Sequence, residues 1–110
     1  MKQNDYLLSN IMKFVSTNFE TFKYDYFYSM NIGINHHITI NEYEFVFNFD
    51  KPFYIEIWGN GFNNDFNTIY SNKTIMDFIN FYTDNINKTP WYEIEILGTK
   101  LIKINFPKIH

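Results

Sequence analysis

The sequence predicts a single α+β domain, a two-layer sandwich in the order α-β-β-β-α-β-β, with two helices on one face of a five-stranded antiparallel sheet. Three observations lead there. Apolar residues recur at helical spacing in two segments and with a period of two in five others, and short turn-forming stretches separate them. The length agrees, since 110 residues make one domain that can bury roughly 65% of its unfolded surface in one core.

The first helix is expected over residues 5–19. Asn4 or Asp5 can cap it, and Leu7, Leu8, Ile11, Phe14, Val15 and Phe19 form its apolar stripe. From Phe22 the period becomes two. Phe22, Tyr24, Tyr26, Tyr28, Met30, Ile32 and Ile34 share one parity, while Lys23, Asp25, Ser29, Asn31 and Asn35 share the other. That alternation predicts one long half-buried strand, with Phe27 the large apolar exception on its polar side. Asn35-His36-His37 offers the turn that follows, and Ile38 begins the return strand. The inward parity then slips from even (Ile38, Ile40) to odd (Tyr43, Phe45, Phe47, Phe49). A slip of one residue would turn every later side chain to the wrong face, so a bulge is expected at Asn41-Glu42 to absorb it.

Asp50-Lys51-Pro52 supplies the next turn, with Phe47 opposite Ile55 and Phe45 opposite Ile57. Residues 59–73 lack a clean period and read as the longest irregular stretch, with Asn60-Gly61 a tight-turn dipeptide. Ser71, Asn72 or Thr74 can cap the second helix, and Thr74 to Asp77 resembles a capping box. Ile75, Phe78, Ile79, Tyr82 and Ile86 make its stripe, and Pro90 closes the connection. Tyr92, Ile94 and Ile96 face inward on one final strand, and Ile102, Ile104 and Phe106 on the other. Parity demands a three-residue turn, Gly98-Thr99-Lys100, which sets Glu95 opposite Lys103. In element order this is similar to the bacterial secretion chaperones of the type III class, whose third helix has no counterpart in the order read here. The likeness includes no sequence motif and carries no function across.

Composition excludes several chemistries. Without cysteine there is no disulfide, thiolate metal site or thiol nucleophile. No stretch approaches the roughly 20 apolar residues that cross a bilayer, and the N-terminal residues carry no apolar signal core, so the reading is cytoplasmic with no membrane partner. Arginine and alanine are absent, while Asn, Ile, Phe, Lys and Tyr supply more than half of the chain. Their codons are built from A and T, so an AT-rich genome explains the bias. The Asn-Lys-Thr sequons at Asn72 and Asn87 then carry no weight. A net charge of −3, spread along the chain, does not favour nucleic acid, whose phosphates are neutralised by Lys and Arg. Lys100, Lys103 and Lys108 around Phe106 are thin evidence against that.

No catalytic residue, cofactor or metal ligand set is expected. His36 and His37 read as an exposed turn pair, because neighbours in extended chain point to opposite faces and do not share a metal. His110 is the terminal residue. The 59–67 loop, with one carboxylate at Asp65, is too poor for calcium and lacks the third glycine of a phosphate loop. Its Phe62 and Phe66 either tuck onto the core or meet a partner. The outward sheet face carries Glu44, Val46, Tyr54, Glu56, Trp58, Trp91, Glu93 and Glu95. Aromatics beside carboxylates suit a basic, partly apolar protein partner. The residues expected to bind are therefore Tyr54, Glu56, Trp58, Phe62, Asp65, Phe66, Trp91, Glu93 and Glu95. The expected function is a non-enzymatic inhibitor or sequestering protein of the phage anti-defence or toxin-immunity type. The alternatives are a small enzyme or ligand-binding domain using the 59–67 loop and a His, and a homodimeric chaperone-like module.

Overall fold

Helix α1 spans Gln3–Asn18, so Asn4 and Asp5 lie within its first turn rather than capping it. Its stripe buries Leu7, Ile11 and Val15. At the far end the Asn18 side-chain amide donates to the Phe14 carbonyl at 2.8 Å, one of the acceptors that a helix terminus leaves open. The computed structural model describes residues 3–31, 33–86 and 91–107. Ile32, the sequon at Asn87, Pro90, Lys108 and His110 lie outside the described residues.

The sheet has six antiparallel strands rather than five, in the order β1-β2-β3-β4-β6-β5. Strands β1 (Phe22–Ser29) and β2 (Gly33–Ile40) form a hairpin in which Ser29 pairs with Gly33 and Tyr24 with Ile38. The turn therefore falls at Met30-Asn31, not at the histidines, and His36 and His37 lie mid-strand. Gly33 adopts φ +77°, the left-handed conformation that glycine enters without steric cost. In place of the expected bulge there is a second turn. Ile40 pairs with Tyr43 across Asn41-Glu42, with Asn41 at φ +56°, so the chain reverses into β3 (Tyr43–Phe47). A two-residue hairpin sets an even residue opposite an odd one, which is the physical origin of the parity slip.

Strand β4 (Tyr54–Trp58) pairs with β3 in the expected register, Phe47 with Ile55 and Phe45 with Ile57. The stretch expected to be irregular contains a short helix α2 (Phe66–Ser71). Helix α3 (Lys73–Ile86) follows at once, capped by Asn72, whose side-chain oxygen accepts from the Ile75 amide at 3.0 Å. Thr74 is inside the helix, so its capping-box reading fails. Strands β5 (Glu93–Ile96) and β6 (Leu101–Asn105) form the last hairpin, with the Leu97 amide donating to the Leu101 carbonyl around Gly98-Thr99-Lys100. The crossover puts β5 at the edge and brings β6 back beside β4.

Aromatic packing fixes α3 on the inner sheet face. Phe78 stacks on Phe45 with centroids 4.2 Å apart, and Tyr82 contacts Phe47 and Phe106. Helix α1 joins it through Phe14 on Phe81, also at 4.2 Å. Ile38, Ile40, Phe45, Ile55, Ile57, Ile102 and Ile104 are fully buried beneath. Six strands at about 4.8 Å spacing occupy roughly 29 Å, whereas two long helices side by side cover roughly 20–24 Å. The sheet overhangs at β1, where Tyr26 and Tyr28 have the inward parity of Tyr24 yet stay 62% and 63% exposed.

Candidate functional site

The outward face of the sheet is built by the residues that alternate with the core. One row crosses all six strands in register: Asp25, His37, Val46, Glu56, Lys103 and Glu95. Beside it run Lys23, Thr39, Glu44, Trp58 and Leu101. Each side chain is there because its strand neighbours Phe45, Ile55, Ile57 and Ile102 must face the helices. With Phe27 and Asn35 from the first hairpin, the β1 to β4 end of this face encloses an open concavity of about 520 Å³.

Two polar contacts organise it. His37 Nδ1 donates to Glu44 Oε1 at 3.0 Å across the β2–β3 ladder. This fixes the ring and leaves Nε2 as the nitrogen available to a visitor. Lys103 lies over the Tyr54 ring, 4.3 Å from its centroid, while its strand partners on either side are Glu56 and Glu95. The lysine is thereby held within its own face. Phe106 is buried on the opposite face.

The residues expected to bind separate into three groups. Glu56 and Trp58 line the concavity, and Tyr54 neighbours them under Lys103. Glu93 and Glu95 share the face but stand at the β5 edge, where the Asn105 amide donates to Glu95 at 3.4 Å. Trp91 is exposed just before β5. Phe62, Asp65 and Phe66 belong elsewhere. Phe62 is only 2% exposed and packs against Tyr43 on the helix side, as part of the core. Asp65 caps α2, accepting from the Thr68 amide at 3.1 Å and from the Thr68 hydroxyl. Those bonds, the hydroxyl first, hold its carboxyl below the usual range. Phe66 is exposed at the start of α2. The 59–67 loop is also stitched to the last hairpin by Gly59 N–H to Lys100 O and Phe62 N–H to Thr99 O.

The histidines do not form an exposed pair. His36 is 8% exposed, its ring against Phe47 and Phe49, with Tyr24 Oη 2.8 Å from Nδ1. Burial, and secondarily the neighbouring His37, push its pKa down. Sequence reasoning set Lys23 and Asp25 on the polar parity of β1 but left them, with His37, out of the candidate site. The available signal was Phe27, an apolar residue on the polar parity of β1, where a solvated face would have a polar one. No family model, curated protein or solved structure matches the chain.

Among the described residues, no group of three or more His, Asp or Glu side chains could hold a metal ion, and no helix is long and apolar enough to cross a membrane.

Proposed function

We propose that this chain is a non-enzymatic binding protein that inhibits or sequesters a protein target, of the phage anti-defence or toxin-immunity type. It seats a basic, partly apolar segment of that target in the outward concavity. The observation that carries this reading is the lining of that concavity: Trp58 and Val46 form an apolar floor beside the carboxylates of Glu44 and Glu56. An apolar anchor flanked by acids matches a lysine or arginine side chain, whose aliphatic stem needs apolar cover and whose head needs a charge. Acidic residues also steer a basic partner to this face before contact.

The test is capture of a host protein by tagged wild type and by the double variant Glu44→Lys/Glu56→Lys, with folding checked by circular dichroism. The partner recovered with wild type should bind the reversed face at least tenfold more weakly, about 1.4 kcal/mol. Trp58→Ala should cost about 2 kcal/mol or more if this ring is the central anchor. Capture unchanged by both variants sinks the reading.

One observation favours the enzyme alternative. His37, oriented by Glu44 inside the concavity, has the arrangement of a general base with its positioning carboxylate. The 59–67 loop takes no part in that concavity. A turnover assay on wild type and His37→Ala separates the two readings, because a histidine-dependent enzyme loses its activity, whereas a binder has none to lose and changes only in affinity.

A further inference from the structure

Strand β1 is an edge strand with aromatic side chains on both faces. Tyr26, Phe27 and Tyr28 are 62%, 61% and 63% exposed. Among the described residues no strand pairs with its outer side. The Tyr26 amide donates to its neighbour's carboxylate, Asp25 Oδ1, at 2.8 Å, which turns that amide away from β2. By the alternation of an antiparallel ladder, the Tyr24 and Tyr28 main chains face the same open side. An exposed, aromatic-rich edge of eight residues is a template for another strand. The opposite edge, β5, is half as long and carries Glu93 and Glu95, the short charged form that discourages pairing.

We infer that β1 pairs antiparallel with β1 of a second copy of this chain, centred on Tyr24, so that the two sheets join into one. Charge selects both the occupant and the register. With Tyr24 opposite its own copy, Lys23 lies opposite the partner's Asp25 and Asp25 opposite the partner's Lys23, two attractive pairs in the closest cross-strand positions. Centring on Asp25 instead sets two aspartates face to face, which repels. On forming the dimer, the Tyr26 amide exchanges its Asp25 carboxylate for a main-chain carbonyl of the other copy, and this frees the carboxylate for the opposing lysine. The paired stretch runs from Phe22 to Tyr26, where Phe22 of each copy lies opposite Tyr26 of the other and adds an aromatic cross-strand pair to the two ionic ones.

The experiment is sedimentation and light scattering of the full chain over a concentration series into the high micromolar range. Wild type should be a dimer there. Asp25→Lys and Lys23→Asp, each placing like charges opposite one another, should weaken self-association at least tenfold. The swap Lys23→Asp/Asp25→Lys should restore it, because both pairs return with their signs exchanged. All these side chains are exposed, and circular dichroism with thermal melts verifies folding. A wild-type monomer overturns the inference, as does a dimer that survives Asp25→Lys and Lys23→Asp, or a swap that fails to rescue. Lys23 and Asp25 also line the concavity, but the readout is self-association alone, so its failure leaves the proposed function standing.

Discussion

Gly59 closes the end of β4 against the Tyr43 ring, and adding one methyl group there should destabilise the domain. A Cβ at this position would lie 2.6 Å from Tyr43 Cδ1, 2.9 Å from Cε1 and 3.3 Å from Phe62 Cζ. The first contact is about 1 Å inside the 3.5–4.0 Å optimum between carbons, so the ring must move. It is not free to do so. Tyr43 is 9% exposed, and its hydroxyl accepts from Asn72 Nδ2 at 2.8 Å. Asn72 in turn caps α3 through Ile75. Displacing the ring therefore pulls on a helix cap that is itself worth about 0.5–2 kcal/mol.

Overpacking a well-filled site costs about 1–3 kcal/mol. Alanine returns about 0.4–1 kcal/mol by restricting the unfolded chain, wherever its backbone conformation is allowed. Gly59 is not among the positive-φ residues, so that return applies here. Gly59→Ala should then destabilise by about 1–2 kcal/mol, a fall in Tm on the order of 5–10 °C for a domain of this size. Urea and thermal unfolding measure it. The control is a double-mutant cycle with Tyr43→Ala, which removes the obstructing ring. In that background the added methyl meets only Phe62 Cζ at 3.3 Å and should cost little, and the coupling energy should account for most of the single-variant loss. A Tm for Gly59→Ala equal to or above wild type would refute the steric argument.

His36 should make the fold acid-sensitive. Burial depresses its folded pKa below the 6.5 of the free side chain, so below that pH the unfolded chain binds the extra proton. Stability is then full above pH 6.5 and falls as pH drops through the folded pKa, by at most about 1.4 kcal/mol per pH unit. His36→Phe, a ring against the same Phe47 and Phe49, should flatten the slope between pH 7 and roughly 5.5; equal slopes in the two proteins would exclude His36 as the cause. Tyr82 is fully buried and its hydroxyl lacks a hydrogen-bond partner among the described residues. Removing it by Tyr82→Phe should stabilise the fold by about 1–2 kcal/mol, seen as a raised Tm; a lowered Tm would reveal a partner.

The two faces of the sheet were legible because a period of two tolerates errors in turn position. Moving the first turn from the histidines to Met30-Asn31 still sets even residues opposite even ones, so Ile38 and Tyr24 keep the same face while their pairing changes by several residues. The signal for the true turn was Gly33, a residue that weakens a strand and here takes positive φ. Asn41-Glu42 was located correctly but given the wrong form. A bulge and a two-residue hairpin shift parity alike, and only the hairpin adds a strand. Helix α2 was hidden because six residues are too few to display a helical period. Its one legible sign was Asp65 three positions before Thr68, the cap geometry found in the structure.

Coverage is what alternation cannot report. Tyr24, Tyr26 and Tyr28 are equivalent in the sequence pattern, yet the first is half-buried and the others are open. The difference comes from the number of strands. Five strands at about 4.8 Å span roughly 24 Å, which two helices cover. Splitting the long return strand into β2 and β3 adds a sixth and pushes β1 beyond their reach. The aromatic edge is thus a consequence of the hairpin at Asn41-Glu42: the turn that corrects the parity of the core also moves β1 out from under the helices.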